Sequence, residues 1–390
     1  MATRVMAMKE LEIARGLREE IEAAGQQADL DCHVSGDMIQ KLSRQGLFAT
    51  MIAEAYGGTQ RPPMDTLDLI EELSYADSAV GWTGMIYHTT ALLGSFLPER
   101  WAREIFGVNR EGDGFDCPIA AGAAAPSGKG EVVEGGIVVS GRWAWGSGTH
   151  NADWVAGGTI VSDNGEVRSF ENGAPAVHVM FFEKDHVLLH ENWDPSGLRG
   201  TGSGDFEVKD YFVPDGRWTV LGASRRQIDA PLYRFPFFGF FATAVASVPL
   251  GIARRAVHEF EAMSRAKGSG GRTASLIQVE FGQAEALVQA AQYLIRGTVT
   301  DVWERIVKGE KVELEEKRRL RLAASQATAL CSEAVDRLYN AGGGTSLQGH
   351  CRLQKQFRDI HAATQHRMVS REVLRMAAGV KLDGESTAQL

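Results

Sequence analysis

From Gly141 to Gly158 the chain reads GRWAWGSGTHNADWVAGG, and the reading of this stretch decides the fold. Tryptophan, valine and alanine are packed between glycines, with no helical repeat of apolar positions. Such a run reads as the end of one strand, a glycine-rich turn and the start of the next. Similar short runs lie on both sides: GIVVSGRWAW before it, DWVAGGTIV overlapping its end, then AVHVMFFE and FEVKDYFVP. GKGE, DNGE and ENGAP separate them as turns. Residues 113–221 therefore read as a compact central β domain. Its loops are short, and a parallel crossover needs a dozen residues or more, so antiparallel pairing is expected.

Working outward, both flanks change to a helical rhythm. Residues 1–112 carry Leu11, Ile13, Ala14, Leu17, Ile21 and Ala24 at three- and four-residue steps. Ser35 suits the N-cap of a helix holding Met38, Ile39 and Leu42, and the nearly uncharged run from Val80 to Phe96 predicts a buried helix. Residues 222–390 predict four long helices, Gly251 to Ala266, Ser275 to Lys308, Leu314 to Ala341 and Gln354 to Gly379, broken at GSGGR, KGEK and AGGGTSLQG. The fold class is thus α+β segregated by region: an N-terminal helical domain, a central β domain and a C-terminal four-helix bundle.

The 390 residues are 44% hydrophobic and 23% charged, an ordinary globular composition. A net charge of −9 argues against nucleic-acid binding, which requires a basic surface. The four cysteines, Cys32, Cys117, Cys331 and Cys351, are far apart and form no C-x-x-C pair, so neither a zinc site nor a disulfide framework is read. No stretch approaches the roughly 18 uninterrupted apolar residues of a membrane span, and the N-terminus reads as an amphipathic helix, not a signal peptide. A cytoplasmic protein without a membrane partner is expected.

Four strings, in order, carry a resemblance: GLFATMIAEAYGG (46–58), GRWAWGSGTHNADWVAGG (141–158), WDPSGLRGTGSGDFEVKDYFVP (193–214), and AGGGTSLQG followed by FRDIHAATQH (341–366). Together they resemble the acyl-CoA dehydrogenase superfamily over nearly the whole chain. Its dehydrogenases commonly place a catalytic glutamate a short step after an arginine–aspartate pair. Here that pair is Arg358-Asp359 and the place is taken by His366. This resembles instead the superfamily's flavin-dependent monooxygenases, the oxygenase components that act on 4-hydroxyphenylacetate, steroid-ring phenols and dibenzothiophene.

The resemblance implies reduced flavin, FADH2 or FMNH2, and O2 as co-substrates, reacting through a C4a-hydroperoxide to hydroxylate a small phenolic, indolic or heteroaromatic substrate. It also implies a separate NAD(P)H-dependent flavin reductase and a homotetramer. No nicotinamide-binding motif is visible, in keeping with that division of labour. The alternatives are an FAD-dependent acyl-CoA dehydrogenase with a relocated base, an N- or S-oxygenase on the same scaffold, and a catalytically silent flavin-fold binding protein.

The candidate catalytic residues are His366, Ser147 and His88. If one helix spans 355–379, His366 shares a small apolar face with Ala362, Ala363, Val369 and Ser370; it reads as a satisfied buried histidine or, by the resemblance, as a group beside the flavin. Ser147 reads as a turn serine or as a hydroxyl reaching flavin N5. His88 reads as locally satisfied or as a partner of a substrate ring. Trp145, Thr201, Ser203, Arg272, Gly343, Gly344 and Ser346 complete the flavin-binding set, with Ser147 and His366. Their plainer readings are core, turn, linker or solvent-exposed residues. The aromatic cluster Tyr233, Phe235, Phe237, Phe238, Phe240 and Phe241 reads as core or as the wall of a pocket for a flat ring.

Overall fold

The computed structural model describes residues 8–111, 114–267 and 272–384. Six helices come first: α1 (Lys9–Gly16), α2 (Arg18–Asp31), α3 (Gly36–Arg44), α4 (Pro63–Ala76), α5 (Ser78–Ala91) and α6 (Glu99–Phe106). Ser35 caps α3 by accepting from the Met38 N–H at 3.4 Å. Asp77 caps α5 with one carboxylate oxygen, taking the N–H groups of Ala79 and Val80 at 2.9 and 3.2 Å. Every residue of α5 is buried, as its uncharged sequence requires, because it runs between α4 and the C-terminal helices.

The strands follow: β1 (Asn109–Glu111), β2 (Gly114–Asp116), β3 (Ala120–Val133), β4 (Gly136–Trp143), β5 (Trp154–Asp163), β6 (Glu166–Val167), β7 (Val177–Glu183), β8 (Leu188–Leu189), β9 (Phe206–Pro214) and β10 (Trp218–Val220). β1 and β2 form a separate hairpin; the main sheet has the order β10-β7-β5-β3-β4-β9-β8, with β6 attached to β5. This corrects the expectation of a purely antiparallel domain, because β3 and β5 pair in parallel, Ala120 opposite Trp154. The reason is topological. β4 returns the chain along one edge of β3 and so serves as the crossover, which lets β5 start beside the start of β3 without a helix. Trp143, fully buried, anchors the sheet's core. Its ring stacks on Phe206 at 5.1 Å and its Nε1 donates to the Gly158 carbonyl at 2.7 Å. A β-carbon at Gly128, Gly141 or Gly157 would strike that indole, which accounts for glycine at all three positions.

The chain then returns to helix: α7 (Pro231–Arg234), α8 (Phe237–Lys267), α9 (Arg272–Val307), α10 (Leu314–Gly342), α11 (Arg352–Ala363) and α12 (Arg371–Leu382). The expected GSGGR break falls largely outside the described residues. α8 is long and apolar enough to cross a membrane, yet 78% of its apolar window is buried inside the protein, where it contacts α4, α5, α10 and α11. Glu313 and Glu316 close a capping box at the start of α10.

The expected last helix is broken in two. α11 stops at Ala363, the Thr364 hydroxyl turns back to the His361 carbonyl at 2.8 Å, and a single 3-10 turn, Arg367–Val369, precedes α12. His366 is therefore not on a helix face. It stands in extended backbone at the break, as the cap of that turn.

Candidate functional site

Two glycine-bounded loops meet at the edge of the sheet. The Gly146 N–H donates to the Gly204 carbonyl at 2.9 Å and the Gly148 N–H to the Thr201 carbonyl at 3.0 Å. This backbone pairing brings three buried hydroxyls into line. Ser147 Oγ lies 2.6 Å from Ser203 Oγ, which lies 2.7 Å from Thr201 Oγ1, which donates to the Leu198 carbonyl at 2.8 Å. From the opposite side Trp82 Nε1, on α5, donates to Ser147 Oγ at 3.1 Å. Ser147, Thr201 and Ser203 thus come together; Trp82 was not singled out from the sequence. It is one apolar residue among many in α5, and only the packing of α5 on the 146–148 loop reveals its role.

Trp82 also joins Ser147 to His366. The indole and imidazole meet edge to face at 5.5 Å, and Phe241 of α8 also meets His366 edge to face at 5.5 Å. The Met368 N–H donates to His366 Nδ1 at 3.3 Å, so the neutral ring carries its proton on Nε2, which makes no hydrogen bond among the described residues. Burial, helped by the nearby Arg321 guanidinium, pushes the imidazole pKa down to about 4. The ring is neutral at ordinary pH, and in that form Nε2 can donate to a bound group.

His88 lies deeper on α5, with no exposed surface. The Thr66 hydroxyl donates to Thr50 Oγ1 at 2.9 Å, and Thr50 Oγ1 lies 3.1 Å from His88 Nδ1. Thr50, accepting from Thr66, gives its own proton to Nδ1 and leaves the ring proton on Nε2, which is buried without a partner among the described residues. Burial drives this pKa to about 3, so His88 is a neutral donor and not a base in the working range.

A buried charge cluster holds these elements in register. Asp359 of α11, fully buried, accepts from the Leu198 N–H at 2.7 Å with one oxygen, and from Lys355 Nζ at 2.7 Å and the Ser78 hydroxyl with the other. Lys355 also pairs with Asp77 at 3.1 Å, the cap of α5. Burial opposes ionisation of Asp359, but Lys355 and these hydrogen bonds outweigh it and hold the carboxyl below its usual range. One ion cluster thereby ties α11, the start of α5 and the 198–203 loop together. Arg358 adds a hydrogen bond to the Ser196 carbonyl at 2.7 Å.

The other expected residues are more scattered. Trp145 is no core residue: it is 71% exposed, at a left-handed φ of 61°, on the loop that carries Ser147. The side chain of Arg272 lies outside the described residues. Gly343 and Gly344 are exposed in a 3-10 turn at the end of α10, and Ser346 beyond it is buried. No described hydrogen bond joins that turn to the Ser147 cluster. Of the aromatic cluster, Tyr233, Phe235 and Phe240 are core, and Phe241 alone reaches His366.

The model of the acyl-CoA dehydrogenase N-terminal domain matches residues 8–97, and that of the C-terminal domain matches residues 243–371. An indole-3-acetate monooxygenase of Acinetobacter baumannii is 31% identical over 354 residues, covering 90% of this chain and 87% of its own. The HsaA oxygenase subunit of a flavin-dependent monooxygenase from Rhodococcus jostii is 28% identical, covering 85% and 87%. Among solved structures, the 3-HSA hydroxylase of Rhodococcus sp. RHA1 superimposes with a TM-score of 0.89 at 23% identity, covering 98% of this chain and all of that one.

Proposed function

The chain belongs to the acyl-CoA dehydrogenase family, in its flavin-dependent monooxygenase branch, and from that premise we propose that it is the oxygenase component of a two-component system that hydroxylates a small aromatic substrate. A separate NAD(P)H-dependent reductase supplies FADH2 or FMNH2.

The observation that carries this reading is the convergence of Ser147, Trp82 and His366, two of them hydrogen-bonded and two in ring contact, where the family's dehydrogenases commonly present a carboxylate. These residues fit a flavin. An exposed indole held in left-handed backbone flanks a buried serine hydroxyl, and a neutral imidazole offers a free Nε2–H nearby. Trp145 supplies a flat apolar surface for a ring, Ser147 a hydroxyl for flavin N5, and the 201–203 loop further polar groups. Reduced flavin, when bound, supplies the electrons that activate dioxygen. His366, kept neutral by burial, holds or moves a proton at Nε2. Trp82 and Phe241 pack against its ring and keep water from it. His88, with its proton fixed on Nε2, donates to an acceptor on the substrate ring, such as a phenol oxygen.

An uncharged helix face supports self-association. The outward face of α9 carries Leu276, Val279, Gln283, Ala286, Ala290 and Tyr293 with no charge among them, and Leu276 and Tyr293 are 70% and 76% exposed. This face fits a homotetramer assembled through its helical bundle.

The test supplies the protein with chemically reduced FMN or FAD, ¹⁸O₂ and either indole-3-acetate or 4-hydroxyphenylacetate, followed by mass spectrometry of the product. Incorporation of one labelled oxygen atom is the expected result. Reduction of a bound flavin by an acyl-CoA under anaerobic conditions, with no oxygenated product, would replace this reading with a dehydrogenase.

A further inference from the structure

The hydroxyl line beside Ser147 has a direction, because each hydroxyl has one proton. The Thr201 proton goes to the Leu198 carbonyl at 2.8 Å. Thr201 Oγ1 is then an acceptor, and Ser203, 2.7 Å away, donates to it. That uses the Ser203 proton, so Ser147, 2.6 Å from Ser203, donates to Ser203. Trp82 Nε1 meanwhile donates to Ser147 at 3.1 Å. Ser147 has given up its proton and keeps one lone pair. In this arrangement it accepts hydrogen bonds and does not donate one.

The opposite direction is available but poorer. With Thr201 donating to Ser203, and Ser203 to Ser147, the Ser147 proton is released outward, but the Thr201–Leu198 side-chain bond, the shortest on that carbonyl, is lost, leaving it the Thr201 N–H at 3.1 Å and Trp193 Nε1 at 3.3 Å. The two directions differ by one buried hydrogen bond. All three hydroxyl residues are at most 5% exposed, and the loops are pinned by the Gly146–Gly204 and Gly148–Thr201 backbone bonds, so the line cannot relax freely to recover it.

Flavin N5 also changes sign with redox state: in the dihydro form it carries a hydrogen and donates, whereas in the oxidised form it offers a lone pair and accepts. We propose that Thr201 and Ser203, by setting Ser147 as an acceptor, make the site select the dihydro form of the flavin over the oxidised form. They are positioning residues acting through Ser147, and this inference rests on the proposed placement of Ser147 at flavin N5. One hydrogen bond corresponds to a preference of about 2- to 10-fold from this source alone.

The experiment measures dissociation constants of wild type, Ser203→Ala and Thr201→Val for FMN and FAD, each oxidised in air and chemically reduced under anaerobic conditions. Either substitution frees the Ser147 proton to point outward. Oxidised flavin should bind about 2- to 10-fold tighter than to wild type, while the dihydro form binds no tighter, so the oxidised-to-reduced ratio of dissociation constants falls by the same factor. Thr201→Val keeps the side-chain shape and guards against a packing artefact in Ser203→Ala. Equal weakening of both redox forms, or an unchanged ratio, would overturn the proposal while leaving the flavin reading intact. Failure of wild type to bind either form of either flavin would overturn both.

Discussion

The Asp359 carboxylate accepts the backbone N–H of Leu198 at 2.7 Å, across 161 positions of sequence. Leu198 is itself at a left-handed φ of 53° and buried, so this bond helps hold a backbone shape that leucine rarely adopts. Its carbonyl in turn receives the Thr201 hydroxyl, the first link of the line to Ser147. Asp359→Ala removes one of the two carboxylate partners of Lys355 and three hydrogen-bond acceptances at once. The expected cost is about 3–5 kcal/mol in urea denaturation, with Asp359→Asn costing less because it can still accept from Leu198. A loss under about 1 kcal/mol for the alanine variant would mean the cluster does not hold the loop.

Acid stability should report the buried histidines. His88 has its pKa lowered from 6.5 to about 3, so between those values the unfolded chain binds a proton that the folded chain refuses. Stability is therefore complete above 6.5 and is lost as the pH falls through this window, by up to about 1.4 kcal/mol per pH unit from this residue. His366, lowered to about 4, adds a loss of the same sign over a narrower window. Thermal melts of wild type and His88→Gln between pH 7 and pH 4 check this, and the variant should show the shallower fall. Parallel curves would show that His88 takes up no extra proton on unfolding.

His366→Ala is expected to lower the yield of oxygenated product per reduced flavin consumed by at least about 10²-fold, since it removes the one neutral imidazole placed to handle a proton beside Ser147 and Trp82. Because the ring only lines the site, affinity for reduced flavin should change by less than about threefold. Product analysis and flavin titration separate the two effects. An equal loss of both would assign His366 to binding alone.

The uncharged face of α9 should govern assembly. Tyr293→Asp together with Ala290→Arg places opposite charges on a surface that is otherwise apolar or amide in character, and sedimentation velocity is expected to show a species smaller than wild type. An unchanged sedimentation coefficient would remove this face from any subunit contact.

The succession of helices, sheet and helices was legible in the sequence, because helical periodicity, strand runs and turn glycines are local properties of short windows. So were the hydroxyls of Ser147, Thr201 and Ser203, marked by the glycines around them. The break that places His366 was not legible: Thr364 and Gln365 carry no strong helix-ending signal, and the turn is also held from α10, where the Ser325 hydroxyl reaches the Val369 carbonyl at 3.0 Å across 44 positions. The parallel pairing of β3 with β5 depends on which edge of β3 is free after β4 has docked, which no local window records.

What the sequence determined by itself was the inventory: which segments curl, which extend, and which polar side chains stand among glycines and apolar residues. What only the tertiary structure decided was their chemistry. Thr50 fixes the proton of His88 from 38 positions away, Trp82 reaches Ser147 across 65, and Asp359 reaches Leu198 across 161. Hydrogen bonds of about 3 Å exist only where packing brings donor and acceptor together, so protonation state and donor direction in this site are properties of the fold.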